Sequence, residues 1–162
     1  MFFGLDRTRF EAMVRNDKGE VMATMSAKGP PVFCSEEVEF LAYRKAIEFA
    51  MDAGFSKFIV EGDNSSVMQA ISSPNEDELL MGNVVGDIQQ MLRGLPWVNV
   101  EFTRRGGNKV AYVLAQHAKD LIDDMNWMKD LPPFAREAVR LNLINHLVSF
   151  IPYQICLYFS NC

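Results

Sequence analysis

Two carboxylates stand where chemistry could be done. The run Phe58-Ile59-Val60-Glu61-Gly62-Asp63-Asn64 carries an apolar strand pattern that stops at two acids, and a helix pattern follows at once. That sets Asp63 at the C-terminal end of a strand, the place outside which ligands collect in α/β sheets. Glu39 belongs to the helix pattern before it. With Val38 as origin it lies about 100° round the helix, on the flank of Ala46, and so borders the face that must cover the sheet. Carboxylates offer Mg²⁺ the hard oxygen ligands it prefers, and the ion keeps waters that a phosphate can replace. Two such ions can clamp both sides of a phosphodiester displacement. Each residue also has an ordinary structural role. The Asp63-Asn64 pair makes a good helix N-cap, worth about 1 kcal/mol, and Glu39 is a normal acid for a first helical turn. Spacing alone leaves both readings open. Glu61 reads as an outward or turn residue.

A second cluster is basic. Arg104-Arg105-Gly106-Gly107-Asn108-Lys109 could contact phosphates, with Asn108 contributing from a helix N-terminus. The alternative is a solvated turn with an N-cap. The two histidines, His117 and His146, rule out a His-rich zinc cluster, and Cys34, Cys156 and Cys162 share no metal-ligand spacing. Cys34 has no nearby base to make it a nucleophile. Trp97 and Trp127 read as packing residues, and the ten methionines as core filler.

The elements that must position these groups follow from periodicity. Residues 10–16 read as a strand, Asn16-Asp17-Lys18-Gly19 as a turn, and 20–29 as the antiparallel partner. In 35–54, Val38, Leu41, Ala42, Ala46, Phe49 and Ala53 recur at helical spacing, with Ser35 as N-cap and Gly54 as the stop. A short strand ends at Asp63. Helices over about 64–72 and 77–93 come next, then an alternating strand at 98–103, then a helix from Asn108 carrying Val110, Val113, Leu114, Ala118 and Leu121. The order β-β-α-β-α-α-β-α calls for a mixed α/β sheet with helices packed on it. From Asp123 onward the chain reads as a linker, a helix opening at Pro132-Pro133, and a short apolar tail.

The bulk numbers are those of one globular domain: 162 residues, 49% hydrophobic, 23% charged, net charge −5. No chain-wide basic field draws it to nucleic acid or an anionic membrane, so any nucleic-acid contact needs a local patch. The tail HLVSFIPYQICLYFSNC is interrupted by Pro152 and falls below the ~20 residues of a membrane helix. No secretory signal is visible near Met1, which points to an intracellular protein, nuclear or cytoplasmic.

The segments FEAMVRNDKGEVMATMS, EVEFLAYRKAIEFAMDAGFSKFIVEGDNSSVMQAI and VEFTRRGGNKVAYVLAQHA resemble, in order, the ribonuclease H type 1 superfamily. More narrowly they look like the ribonuclease H-like domain at the ends of plant non-LTR retroelement polyproteins. The resemblance covers about residues 2–121. It implies a five-stranded mixed sheet of order 3-2-1-4-5 flanked by helices, and Mg²⁺-dependent hydrolysis of the RNA strand of RNA–DNA hybrids by four metal-binding positions. Glu39 matches the helix glutamate of that family and Asp63 its aspartate after the fourth strand, the catalytic and metal-binding pair. Arg104, Arg105, Asn108 and Lys109 lie within the third matching segment, and their reading as nucleic-acid contacts rests on the local basic cluster itself. Two ligand positions depart from the pattern. The helix motif Asn-x-x-Ala-Asp reads Asn108-Lys109-Val110-Ala111-Tyr112 here, and a phenol is a poor Mg²⁺ ligand. The first-strand aspartate would fall before Met1, and Asp6 is too close to the next strand to replace it.

The expectations are therefore a ribonuclease H-like domain over 1–121 with its first strand largely missing, as in a truncated chain or incomplete gene model. A helical extension and apolar tail would follow over 122–162. Mg²⁺ binding would be weak or absent and hydrolysis impaired. The alternative is a non-catalytic module that binds nucleic acid or another partner.

Overall fold

The computed structural model describes residues 9–18, 20–29, 35–73, 82–102, 125–128 and 153–160. Two strands, β1 (Arg9–Asn16) and β2 (Val21–Lys28), form an antiparallel hairpin. Its turn is held by Asn16, whose Oδ1 accepts hydrogen bonds from the amides of Lys18 (3.0 Å) and Glu20 (2.8 Å). An asparagine side chain used this way mimics a backbone turn. The register shifts between Val14 and Arg15, a bulge that leaves Met22 opposite no single partner.

Helix α1 (Ser35–Asp52) follows. Its row Val38, Ala42, Ala46, Ala50 is buried. The three alanines let the helix lie close across β1 and the sheet's central strand. It ends as a Schellman motif: the amide of Phe55 donates to Ala50 O and that of Gly54 to Met51 O, both at 3.0 Å. Gly54 takes φ 92°, the left-handed conformation this cap requires.

Strand β3 (Lys57–Gly62) then runs parallel to β4 (Trp97–Phe102), with Phe58 and Val60 buried against the helical layer. Between them come α2 (Ser65–Ser72) and α3 (Gly82–Arg93). Residues 77–81 of the helix expected over 77–93 lie outside the described residues. Gln89 of α3 ties the two helices together, its Nε2 donating to Ala70 O (3.0 Å) and to Ser73 O. Arg44 joins α1 to Asp87 of α3 at 3.2 Å.

The last two strands correct the expected organisation. Met125–Met128, read as linker, is β5, an edge strand antiparallel to β2. Four residues are too few to show an alternation. Tyr153–Ser160, read as a tail beyond the domain, is β6, and it lies at the centre of a six-stranded sheet of order β4-β3-β6-β1-β2-β5. It pairs antiparallel with β1 along its whole length, from Arg9↔Ser160 to Asn16↔Tyr153, and parallel with β3 from Ile59↔Gln154 to Glu61↔Cys156. The slot between β1 and β3, where the resemblance put a largely missing first strand, is thus occupied. The boundary expected at 121/122 is crossed by the pairings of both late strands. A continuous apolar run with no charge is the pattern of a strand buried on both faces, and that pattern was legible in Tyr153–Ser160.

Both faces of the sheet are shielded. One carries Phe10, Ala12, Val14, Ala23, Met25 and Ala27 against α1. The other carries Glu11, Met13, Thr24, Ser26 and Ile59, each buried.

Two outcomes test this packing. A β-carbon at Gly62 would fall on the Tyr43 hydroxyl and 2.8 Å from Met68 Cε, whereas one at Gly86 meets nothing within 4 Å. Gly62→Ala should cost about 1–3 kcal/mol in urea unfolding, and Gly86→Ala should stabilise helix α3 by roughly 0.5–1 kcal/mol; equal effects would refute the close approach of α1 to β3. Ending the chain after Pro152 removes the strand joining β1 to β3, and the cooperative urea transition should disappear; an unchanged midpoint would show that the sheet does not depend on β6.

Candidate functional site

The candidate site is built where α1 crosses the end of β3. Tyr43 of α1 is fully buried, and its hydroxyl lies against the α-carbon of Gly62, the last residue of β3. Only glycine leaves room for that contact. Glu39 precedes Tyr43 by one helical turn, on the same face of α1. Asp63 follows Gly62 directly. The Tyr43–Gly62 contact therefore brings the turn of Glu39 and the end of β3 to one end of the sheet. The two environments differ. Glu39 is half-buried and its Oε2 is shielded from solvent, while Asp63 is exposed.

The cap of α2 resolves one of the two readings of the Asp63-Asn64 pair. Asn64 is the N-cap, its Oδ1 accepting from the amides of Ser66 (3.1 Å) and Val67 (3.3 Å). Asp63 is not the cap.

Glu61 is neither an outward nor a turn residue. It lies within β3, and its Oε2 is 3.6 Å from Arg15 Nη2 of β1, with side chains only 13% and 8% exposed. The pair reaches across β6, because Arg15 and Ile59 flank Gln154 while Glu61 is level with Cys156. Sequence reasoning missed it because the two strands are not neighbours in the pattern it assumed. It also missed Glu11, 1% exposed in the middle of β1. The signal was the acid in Phe10-Glu11-Ala12-Met13-Val14-Arg15, on the same alternation as Arg15.

The strand beside Asp63 can now be read by register. Parallel pairing of β3 with β6 reaches Glu61↔Cys156. Two residues further along, Tyr158 falls level with Asp63, and Tyr158 is also the antiparallel partner of Glu11. No residue of Tyr153–Ser160 is acidic. Among the described residues no group of three or more His, Cys, Asp or Glu side chains converges to hold a metal ion. Glu39 on α1 and Asp63 after β3 offer by themselves fewer oxygen ligands than a pair of Mg²⁺ ions takes. Arg104, Arg105, Asn108, Lys109 and Tyr112 lie outside the described residues. A cleft of about 380 Å³ between α2, α3 and β4 is lined by Ile71, Leu92, Arg93, Val98 and Val100, and includes neither Glu39 nor Asp63. No helix among the described residues is long and apolar enough to cross a membrane.

Comparison with known proteins agrees with this architecture. No curated protein matches the sequence. Among solved structures, the crystal structure of RNase H1 from the halophilic archaeon Halobacterium salinarum NRC-1 superposes with a TM-score of 0.62 at 20% identity, over 74% of this chain and 92% of that one. At that identity the likeness is one of fold: a mixed α/β sheet of the ribonuclease H type. The family model described as reverse transcriptase-like matches residues 4–118, well over half of the sequence, and the chain with its helix–strand junction at Glu39 and Asp63 belongs to that family.

Proposed function

We propose that this chain is a ribonuclease H-like nucleic-acid-binding domain, of the kind carried by plant retroelement polyproteins, that binds RNA–DNA hybrid and hydrolyses it weakly or not at all. One observation carries the reading. The strand between β1 and β3 has no acidic residue, so Glu39 and Asp63 stand without a third carboxylate from the strand beside them. Phosphodiester hydrolysis in this family rests on metal-bound positions around the scissile phosphate, and small misplacements of such groups cost orders of magnitude in rate. The second departure is Tyr112, a phenol where the resemblance implies an aspartate in many family members.

Binding makes weaker demands. Sequence-independent affinity for nucleic acid comes mainly from cations on phosphates. Arg104, Arg105 and Lys109 supply them in an otherwise acidic chain, and Asn108 adds an amide donor. Any Mg²⁺ at Glu39 and Asp63 would be held weakly and with most of its waters.

Two measurements test this. With Mg²⁺ or Mn²⁺ the purified chain should leave an end-labelled RNA–DNA hybrid uncut while retarding it in a gel; metal-dependent cleavage abolished by Asp63→Asn would overturn the proposal. Replacing both Arg104 and Arg105 by Ala should lower hybrid affinity and reduce the slope of log K against log salt by about 1 for each phosphate no longer neutralised. An unchanged slope would remove the basic turn from the interface.

A further inference from the structure

We infer that the slot between β1 and β3 is a strand-acceptor site, and that at high concentration it takes residues 153–160 of a second copy of this chain in place of its own. In the resulting exchanged dimer the strand beside Asp63 comes from the partner copy. The inference is independent of hybrid binding.

The topology carries it. Strands β5, β2 and β1 form one half-sheet and β3 and β4 the other; among the described residues β6 alone joins them by main-chain bonds. Every partner of β6 is far off in sequence, from Arg9↔Ser160 to Glu61↔Cys156. Among the described residues, no neighbour in sequence pairs with the strand. What favours its own chain is only the effective concentration set by the connection from β5, and that advantage fades as protein concentration rises. The connecting segment, residues 129–152, spans up to ~80 Å when extended, enough to reach a neighbouring molecule.

The strand that enters the slot carries no charge or proline to hinder its pairing, although the walls of the slot carry Glu11, Arg15 and Glu61. An empty slot would present two rows of unpaired amides and carbonyls, one on β1 and one on β3, and such rows capture whichever strand arrives. Natural sheets discourage that capture with charged residues or proline in the pairing strand. Tyr153–Ser160 contains neither. The exchanged strand meets the same partners in the same register, Ile155 with Val14, Leu157 with Ala12 and Phe159 with Phe10. Exchange therefore trades identical contacts, and the balance is set by concentration.

The native thiol of Cys156 provides the test, because Met13 is its register partner on β1. Directly opposed residues of antiparallel strands have Cα atoms about 4.5 or 5.5 Å apart, and both separations suit a disulfide. One full-length chain carries Met13→Cys with Cys156→Ser; the other keeps Met13 and Cys156. Cys34→Ser and Cys162→Ser are present in both. The two are mixed, unfolded in denaturant, refolded together over a range of concentrations and mildly oxidised with diamide. A disulfide joining position 13 of one chain to Cys156 of the other is expected, with a yield that rises several-fold with refolding concentration. A single chain carrying Met13→Cys and native Cys156 should close the same bond internally at low concentration. Closure within one chain but none between chains at any concentration would overturn the inference, as would equal crosslinking between chains in denaturant. If Met13→Cys does not fold, the pair Ala12→Cys and Leu157→Cys, one register step along, carries the same comparison.

Discussion

The structure depends on one pairing, that of β6 with β1 and β3. Neighbouring strands lie about 4.8 Å apart, so β1 and β3 stand nearly two strand spacings from each other and share no main-chain bond. Helix α1 bridges them on one face, since it crosses both β1 and β6 and touches β3 through Tyr43. Side-chain packing of that kind does not satisfy backbone amides, and a central slot left open would strand two rows of them. An extended segment must fill it. Because β6 is the segment that does so, the hydrophobic layer under α1, the placement of Gly62 against Tyr43 and the relation of Asp63 to Glu39 all presuppose its docking.

The Arg15–Glu61 pair belongs to the same constraint. Its two residues come from strands on either side of β6, and their side chains meet over it at 3.6 Å. Exposed ion pairs contribute little to stability. This one is largely shielded, where the cost of desolvating two charges offsets much of their attraction. Its main effect is on register. Sliding β3 by one residue relative to β1 would turn Glu61 to the opposite face and break its pairing with Arg15, and breaking a shielded pair costs more than the pair contributes. The polar face of the sheet thus specifies alignment, while the apolar face under α1 supplies the larger part of the burial.

Much of the core was legible because each element carries its own period. The hairpin announced itself through Asn16 and the turn after it, α1 through the row Val38, Ala42 and Ala46 and through Gly54, and β3 through Phe58-Ile59-Val60. The positions of the two candidate acids were legible in the same way, Asp63 after a strand and Glu39 on the helix that covers the sheet. Two things were not. The polar cap was assigned to either of two adjacent residues, and only the backbone geometry singles out Asn64 over Asp63. The central strand was hidden by order along the chain. Tyr153–Ser160 has the apolar run of a buried strand, but its partners lie more than a hundred residues earlier or nearly so, and pairing across such a separation leaves no local mark.

The position that organises the fold is also the one whose chemistry matters most for a ribonuclease H-like site. Strand and ligand make opposed demands there. A strand buried on both faces is most stable when uncharged, whereas a metal site needs a carboxylate at its end. A carboxylate shielded in the sheet without a cation or donors is costly, by several kcal/mol once its hydration is lost. Tyr153–Ser160 carries no carboxylate and bears no such cost. Glu39 and Asp63 differ in this respect: one is half-buried at a helix edge and the other exposed after a strand, so neither is a carboxylate enclosed in the sheet. The informative position is the strand between β1 and β3, which keeps the geometry of the fold and carries no carboxylate.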